Sequence, residues 1–308
     1  MSATRGVDEV EKHRTDAATE TFVAHRNLLF TVAYEMLGSA ADVEDVLQET
    51  WLRWVDVDHD GVLDPRAYLV RVGTRQALNR LRTLQRRRET YVGEWLPEPV
   101  LTAPDVADDV VLAESVSMAL MLVLETLAPT ERAVFVLREV FDVGYDEIAR
   151  TLDKTPAAVR QIAHRARQHV DARRPRTPGA SVAQTRAAVA SFQRAVNTGD
   201  VQGLLEVLAP DVVLVADGGG LRQAALRPIV GVDKVLRYLA GTSARSGLPL
   251  HAEESVVNGS PAVLVRLGDE LDGVLAFRVE DGSVTGLYYV RNPEKLTRLG
   301  AQTSLVLR

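Results

Sequence analysis

Between Phe22 and about Leu84, apolar residues recur every three or four positions, the period of helices with one buried face. Leu28, Leu29, Val32, Ala33 and Met36 make the inner face of a first helix that ends at Gly38-Ser39. Val43, Val46, Leu47, Thr50, Trp51 and Trp54 make that of a second, which Ser39 or Asp42 can cap. A third helix follows Pro65, turns Tyr68, Leu69, Val72, Ala77, Leu78 and Leu81 inward, and leaves Arg66, Arg71, Arg75, Arg82 and Arg86 largely outward. Trp51 and Trp54 could stack on bases, but beside Val46, Leu47 and Val55 at helical spacing they read as core. Residues 20–90 therefore form one all-helical module.

Residues 91–113 carry three prolines and no basic residue, the composition of a linker. Within it Trp95, Leu96, Pro97, Glu98 and Pro99 are unusual for a free tether, since a Trp-Leu step between prolines needs a cover. A second helical module spans 114–174. Ala119, Leu120, Leu122, Val123 and Leu127 form one apolar face, and Val134, Phe135, Leu137 and Val140 another. Ile148, Ala149 and Leu152 then face inward, Asp153-Lys154 makes a turn, Thr155 caps and Pro156 opens a further helix. Val159, Ile162, Ala163, Ala166 and Val170 take its buried side, leaving Arg160, Gln161, His164, Arg165 and Arg167 outside. Helix, short turn, and a second helix with Arg and Gln on its free face is the geometry that reads a major groove; the plain alternative is an ordinary helical hairpin.

A linker at 175–181 precedes a change of texture. Two helices, about 182–197 and 200–208, lead into a β-rich run at 211–216 and a helix from Gly231 to Leu239. Runs at 250–257, 261–267, 271–280 and 283–290, broken by Asn258-Gly259, Gly268-Asp269 and Asp281-Gly282, predict an antiparallel meander. Residues 182–300 thus predict an α+β domain, and the chain a multidomain protein with two all-α domains in front of it.

The net charge of -6 argues against nucleic-acid binding only until it is divided. Residues 21–60 carry -6 and 61–95 carry +5, residues 114–154 carry -4 and 155–178 carry +5, and 179–308 are neutral. One basic cluster alone could be a solvated helix face; two Arg-dominated blocks, one on a helix-turn-helix pattern, point to phosphate. The absence of cysteine excludes disulfides, thiolate metal sites and Cys nucleophiles. Asp56, Asp58, Asp60 and Gly61 match the start of a calcium loop, but its closing position is Ala67 rather than Glu and Pro65 falls inside it, so an acidic turn is expected and no metal. The first twenty residues hold eight charges and no apolar run, and no stretch approaches the ~18 apolar residues of a membrane span. A cytoplasmic chain with no membrane contact and no cofactor is the expectation.

RNLLFTVAYEMLGSAADVEDVLQETWLRW, with the following DPRAYLVRVGTRQALNRLRTLQRRRETYVGEWLPEP, closely resembles region 2 of the extracytoplasmic-function sigma factors of bacterial RNA polymerase. LAPTERAVFVLREVFDVGYDEIARTLDKTPAAVRQIAHRARQHV resembles their region 4. The linker motif WLPEP, the run Asp217, Gly218, Gly219, Gly220, and Asn292, Pro293, Glu294, Lys295, Leu296 resemble marks of the subgroup with a SnoaL-like C-terminal extension, a cone-shaped α+β barrel; the last motif usually has Asp where Glu294 stands.

The resemblance implies core RNA polymerase, through its β′ clamp helices and β subunit, and promoter DNA as partners. Asp45, Gln48 and Glu49 match the positions that dock on the clamp helices. Arg75, Asn79, Arg80, Arg82, Arg86 and Arg87 match the part that melts and reads the -10 element. The helix that starts at Thr155 would enter the major groove at the -35 element and bind it through Thr155, Arg160, Gln161, His164, Arg165 and Arg167, with Arg160, Gln161, His164 and Arg165 nearest bases and Arg167, Arg173 and Arg174 nearer phosphate. For the last domain two classes compete. As an isomerase- or cyclase-like enzyme or ligand-binding module it would use acid/base groups such as Asp217 and His251 in an apolar cavity, with a possible small ligand. As a regulatory module it would clasp the rest of the chain through WLPEP, Asp217–Gly220 and Asn292–Leu296. The three glycines after Asp217 suit a close backbone contact better than a catalytic carboxylate, so the regulatory class, without catalytic residues, is preferred.

Overall fold

In the computed structural model, the described residues are 3–102, 110–173, 180–299, 303, 305 and 306, with side chains described except for 3–14, Asp60, Arg87, Val110, Val111, Ser243 and Ser246. They divide into two compact units, one holding residues up to Gln85, Leu127–His169 and the tail from Leu305, the other Arg86–Thr126 and Val170 onward to that tail.

In the first unit α1 (Ala3–Leu37), α2 (Ala40–Val55) and α3 (Pro65–Arg88) form the expected bundle. The first helix starts well before Phe22, because no proline interrupts the Ala-, Glu-, Lys- and Arg-containing segment ahead of it. Ser39 caps α2 by accepting the Asp42 N–H, and Trp54 is buried with its indole N–H donated to the Ala18 carbonyl at 2.9 Å. Trp51 lies against Phe22, ring centroids 5.4 Å apart. Both tryptophans are therefore packing residues, and the acidic loop after them is a 3-10 turn, His59–Gly61. No cluster of three or more metal-ligating side chains occurs among the described residues.

The same unit contains the second group of helices after Leu127. Helix α6 (Pro129–Phe135) continues into a π turn (Val136–Val140), then α7 (Tyr145–Leu152) and α8 (Pro156–Asp171). Asp153 takes the left-handed conformation that ends α7, and Thr155 accepts the Ala158 N–H to start α8. Arg132 of α6 is fully buried and donates to the Glu35 carbonyl of α1 at 2.8 Å, so the two helical modules share one packed interior.

The second unit is built on a six-stranded sheet in the order β2-β1-β6-β5-β4-β3, comprising β1 (Leu208–Asp217), β2 (Ile229–Val230), β3 (Leu250–Val257), β4 (Ser260–Leu267), β5 (Glu270–Glu280) and β6 (Ser283–Val290). β3 to β6 form the expected antiparallel meander. The sheet is mixed, however: β1 runs parallel to β6 and antiparallel to β2, a pairing that no hairpin turn in the sequence announces.

Residues alternate between the faces of each strand. Leu214, Ala216, Leu275, Phe277, Leu287 and Tyr289 face α9 (Val182–Thr198), α10 (Val201–Val207) and α11 (Val232–Ser246) in one core. Ala276, Tyr288 and Val290 face the other way, against Leu96 of the linker and Met118, Ala119 and Leu122. Those last residues belong to α5 (Met118–Glu125), which with α4 (Val110–Val116) groups with the sheet rather than with the helices that follow, because its apolar side meets an apolar sheet face. This is the helix-and-sheet cone implied by the C-terminal motifs. No described helix is long and apolar enough to cross a membrane.

Candidate functional site

On α2, Asp45, Gln48 and Glu49 are exposed on one side of the helix, as the three- and four-residue spacing requires. Of the α3 residues, Arg75, Asn79, Arg82 and Arg86 are exposed, with Asn79 accepting from Arg82 at 3.3 Å. Arg80, which is half-buried, and the exposed Arg75 are both bonded to partners within the unit. Arg80 donates to Asp42 at 2.7 Å and to Asp45 at 2.9 Å. Arg75 donates to the Thr151 carbonyl at 2.7 Å, the Arg150 carbonyl at 2.9 Å and the Asp153 carboxylate at 2.9 Å. It thus supplies positive charge where α7 ends in unpaired carbonyls, a role that no local signal in α3 announces. The Arg87 side chain and Arg174 lie outside the described residues.

On α8, Arg160, Gln161, His164 and Arg165 are all exposed along one face, with Val159, Ile162, Ala163 and Ala166 buried behind them. Arg167 is half-buried and makes two hydrogen bonds to Glu139, at 2.7 and 3.2 Å, while the Arg165 guanidinium is 3.9 Å from Glu131. The helix thus presents four exposed polar side chains on one face and ties one of its cations, Arg167, to its own module.

The second unit carries a buried polar hub. Asp217, at the end of β1, is fully buried and its carboxylate accepts four hydrogen bonds: from the Tyr91 hydroxyl at 2.6 Å, the Leu96 N–H at 2.9 Å, the Gly219 N–H at 3.0 Å and the Lys295 ammonium at 2.7 Å. Lys295 also donates to the Leu96 carbonyl at 2.6 Å, so one linker residue is held at both backbone groups. Asn292 donates to the Tyr91 oxygen at 2.9 Å and, through its own side-chain oxygen, caps α12 (Pro293–Leu296). The Lys295 ammonium lies 4.2 Å from the Trp95 ring and 5.0 Å from the Tyr91 ring, and the Arg88 guanidinium lies 3.6 Å from the Trp95 ring.

Burial pushes the Lys295 ammonium down from 10.5 to about 8 against the pull of Asp217, and burial followed by the hydrogen bond to Asp217 pushes the Tyr91 phenol up.

The glycines permit this approach. Gly219 has φ +61°, and a Cβ there would collide with the Asn292 amide; a Cβ on Gly218 would collide with the Arg222 carbonyl. Leu96, Pro97, Glu98 and Pro99 are buried, and Leu296 packs with Leu96 against the sheet.

Downstream, the tip of the β3–β4 hairpin takes over. Buried Asn258 accepts the Val100 N–H at 3.1 Å and donates to the Val116 carbonyl at 3.0 Å, and Leu101 bridges Val257 as an added antiparallel partner. In the sequence Asn258-Gly259 has the pattern of a turn and nothing more. As partners of the linker, Tyr91 and Asn258 carry no motif of their own, Asn258 lying 158 positions from Val100.

Asp217 and His251 do not form an acid/base pair. His251 is exposed on β3, with β6, β5 and β4 between it and Asp217 on β1, and Asp217 faces the linker. A cavity of about 540 Å³ lies on the opposite face, between the sheet and α9 to α11, walled by Phe192, Leu204, Leu236, Val265, Leu275 and Tyr289 among others.

Comparison with known proteins assigns the two helical modules to families, with α5 counted in the second of them although it packs with the sheet. The Sigma-70 region 2 family model matches residues 21–87 and the Sigma-70 region 4 model residues 117–170. The chain is 38% identical to the ECF RNA polymerase sigma factor SigJ of Mycobacterium tuberculosis, over 90% of this chain and 92% of that protein. It is 34% identical to the probable ECF RNA polymerase sigma factor SigI of the same species, over 93% and 97%. The crystal structure of M. tuberculosis SigJ superposes with a TM-score of 0.73 at 35% identity, covering 92% of this chain and 99% of the other.

Proposed function

The chain belongs to the extracytoplasmic-function sigma factors, which direct RNA polymerase to promoters, and from that premise we propose that its C-terminal domain regulates this activity in cis by holding the linker between regions 2 and 4. Core polymerase docks on Asp45, Gln48 and Glu49. Asn79, Arg82 and Arg86 meet the opened -10 strand, and Arg160, Gln161, His164 and Arg165 read the -35 major groove. The C-terminal domain acts on transcription and not on a substrate.

The observation that carries this reading is the grip on Leu96, by Asp217 at its N–H and by Lys295 at its carbonyl. The -10 and -35 elements lie apart along the duplex, so the two helical modules must separate to reach both. The linker sets how far they can do so, and a linker spread on a sheet is shorter in reach than a free one. Within the first unit the modules are still joined through Arg75 and Arg132. We therefore read the described state as the resting form. Run-off transcription with core polymerase tests this: Lys295→Met should raise transcript yield per sigma over wild type, and an unchanged or lower yield at equal folded concentration refutes it.

A further inference from the structure

The chain between α6 and α7 departs from a plain helix and turn. Val136–Val140 is a π turn, with the Phe141 N–H on the Val136 carbonyl at 3.2 Å, and Asp142 follows in the left-handed region at φ +50°. Such turns are rare and collect at functional sites, and Asp enters the left-handed region more readily than most residues. The Val143 N–H then returns to the Leu137 carbonyl at 2.9 Å, and Tyr145 opens α7. Arg138, inside the π turn, is fixed by Asp142 at 2.8 Å and by the Val143 carbonyl at 3.2 Å, and its guanidinium lies over the Tyr145 ring, 4.9 Å from the centroid. Its neighbour Glu139 is the residue that holds Arg167.

A second guanidinium lies over the half-buried Tyr145 ring, that of Arg160 on α8, 5.7 Å from the centroid. Both cations are thus within the roughly 6 Å over which a ring attracts them. The three arginines of this cluster differ in what holds them. Arg138 is paired with Asp142 and Arg167 with Glu139, so their charges are already met. Arg160 is exposed and makes no ion pair among the described residues. A ring steadies a guanidinium without neutralising it and without consuming an N–H, so its parallel donors stay available for a base edge, guanine above all. A carboxylate in the same place would compete with DNA for those donors. Ordering a side chain as rotamer-rich as Arg before contact also reduces the entropy lost on binding.

We propose that Tyr145 is a positioning residue for promoter specificity: its ring, fixed from the π turn by Arg138, holds the Arg160 guanidinium ready for one base of the -35 element. The proposal rests on the reading above that Arg160 meets a base in that major groove. Tyr145 itself touches no base and acts through Arg160.

Holoenzyme assembled from core polymerase and the full chain is titrated, at fixed salt, against promoter duplexes carrying each single-base change of the -35 element. Arg160→Ala should lose discrimination at one position. Tyr145→Leu and Tyr145→Gln, which remove the ring, should lose roughly two- to fivefold in discrimination at that same position and less than about twofold elsewhere. Tyr145→Phe, which keeps the ring, should stay within about twofold of wild type throughout. Tyr145→Leu added to Arg160→Ala should bring no further loss at the shared position, as coupled residues require. Melting curves report whether each variant is folded, and two ringless side chains guard against one of them disturbing α7. Even weakening across the panel in the folded ringless variants overturns the positioning role, and so does an equal loss in Tyr145→Phe. An Arg160→Ala panel with no relaxed position overturns the base reading and this proposal with it. A relaxed position in Arg160→Ala beside a wild-type panel in Tyr145→Leu overturns the positioning alone and leaves the base reading standing.

Discussion

Lys295 stands 2.7 Å from the Asp217 carboxylate and 2.6 Å from the Leu96 carbonyl, so a residue near the C-terminus holds a linker residue 199 positions earlier against the end of β1. Both charges are nearly removed from water, and such a pair is costly to break by removing one member. Asp217→Asn should destabilise the C-terminal unit by about 3–5 kcal/mol, measured by denaturant unfolding, and should speed exchange at the Leu96 amide. Gly219→Ala should act in the same direction, since its Cβ would occupy the space of the Asn292 amide.

The pair also responds to pH. Lys295 holds its proton less tightly in the folded chain, at about 8, than at its ordinary 10.5. As pH falls from 10.5 through 8 the unfolded chain takes up the proton first, so the stability contributed by this group is present above 10.5 and lost across that window. The stability of wild type relative to Lys295→Met should therefore rise with pH between 8 and 10, by up to about 1.4 kcal/mol per unit. Tyr91, raised by burial, opposes this above about pH 10, where its unfolded form ionises first. Paired urea titrations at pH 7, 8, 9 and 10 check the sign; a flat difference would contradict it.

Arg75 separates two roles that share one helix. Its bonds to the Arg150 and Thr151 carbonyls and to Asp153 make it an internal cap. Arg75→Ala should destabilise the first unit by about 1–2 kcal/mol. Asn79→Ala and Arg82→Ala, on exposed side chains, should leave stability within about 0.5 kcal/mol and lower promoter opening. Thermal melts and permanganate footprinting of the three variants distinguish the roles.

Helix α8 gives a further separation. Arg160→Ala should cost about 1–3 kcal/mol at one position of the -35 element and relax specificity there. Arg167, tied to Glu139, should show a uniform and smaller effect across promoter variants. A binding panel over single-base changes of the element, at fixed salt, reads both.

Much of this was legible in the chain. Periodicity placed the helices of the first unit to within a few residues from Leu28 onward, and the alternating runs with Asn258-Gly259 and Asp281-Gly282 placed the meander. The exposed face Arg160, Gln161, His164, Arg165 emerged because its buried counterpart repeats without a break. Charge counting located the basic blocks but not their use: it could not show that Arg75, Arg80 and Arg167 are spent on internal partners, because those partners are 76, 38 and 28 positions away. The parallel pairing of β1 with β6 was equally hidden, since parallel neighbours have no connecting turn. WLPEP signalled that a cover was needed; Tyr91 and Asn258, which help to supply it, carry no local pattern.

The most direct measurement locks the linker where it lies. The chain has no cysteine, and Leu101 and Val257 face each other across an antiparallel bridge, so Leu101→Cys with Val257→Cys places one disulfide between linker and sheet. Transcription is then compared in a single preparation before and after reduction. A resting form held by the linker predicts several-fold less transcript from the oxidised chain and recovery to the wild-type level on reduction. Equal transcript in the two states, or more from the locked chain, would contradict it.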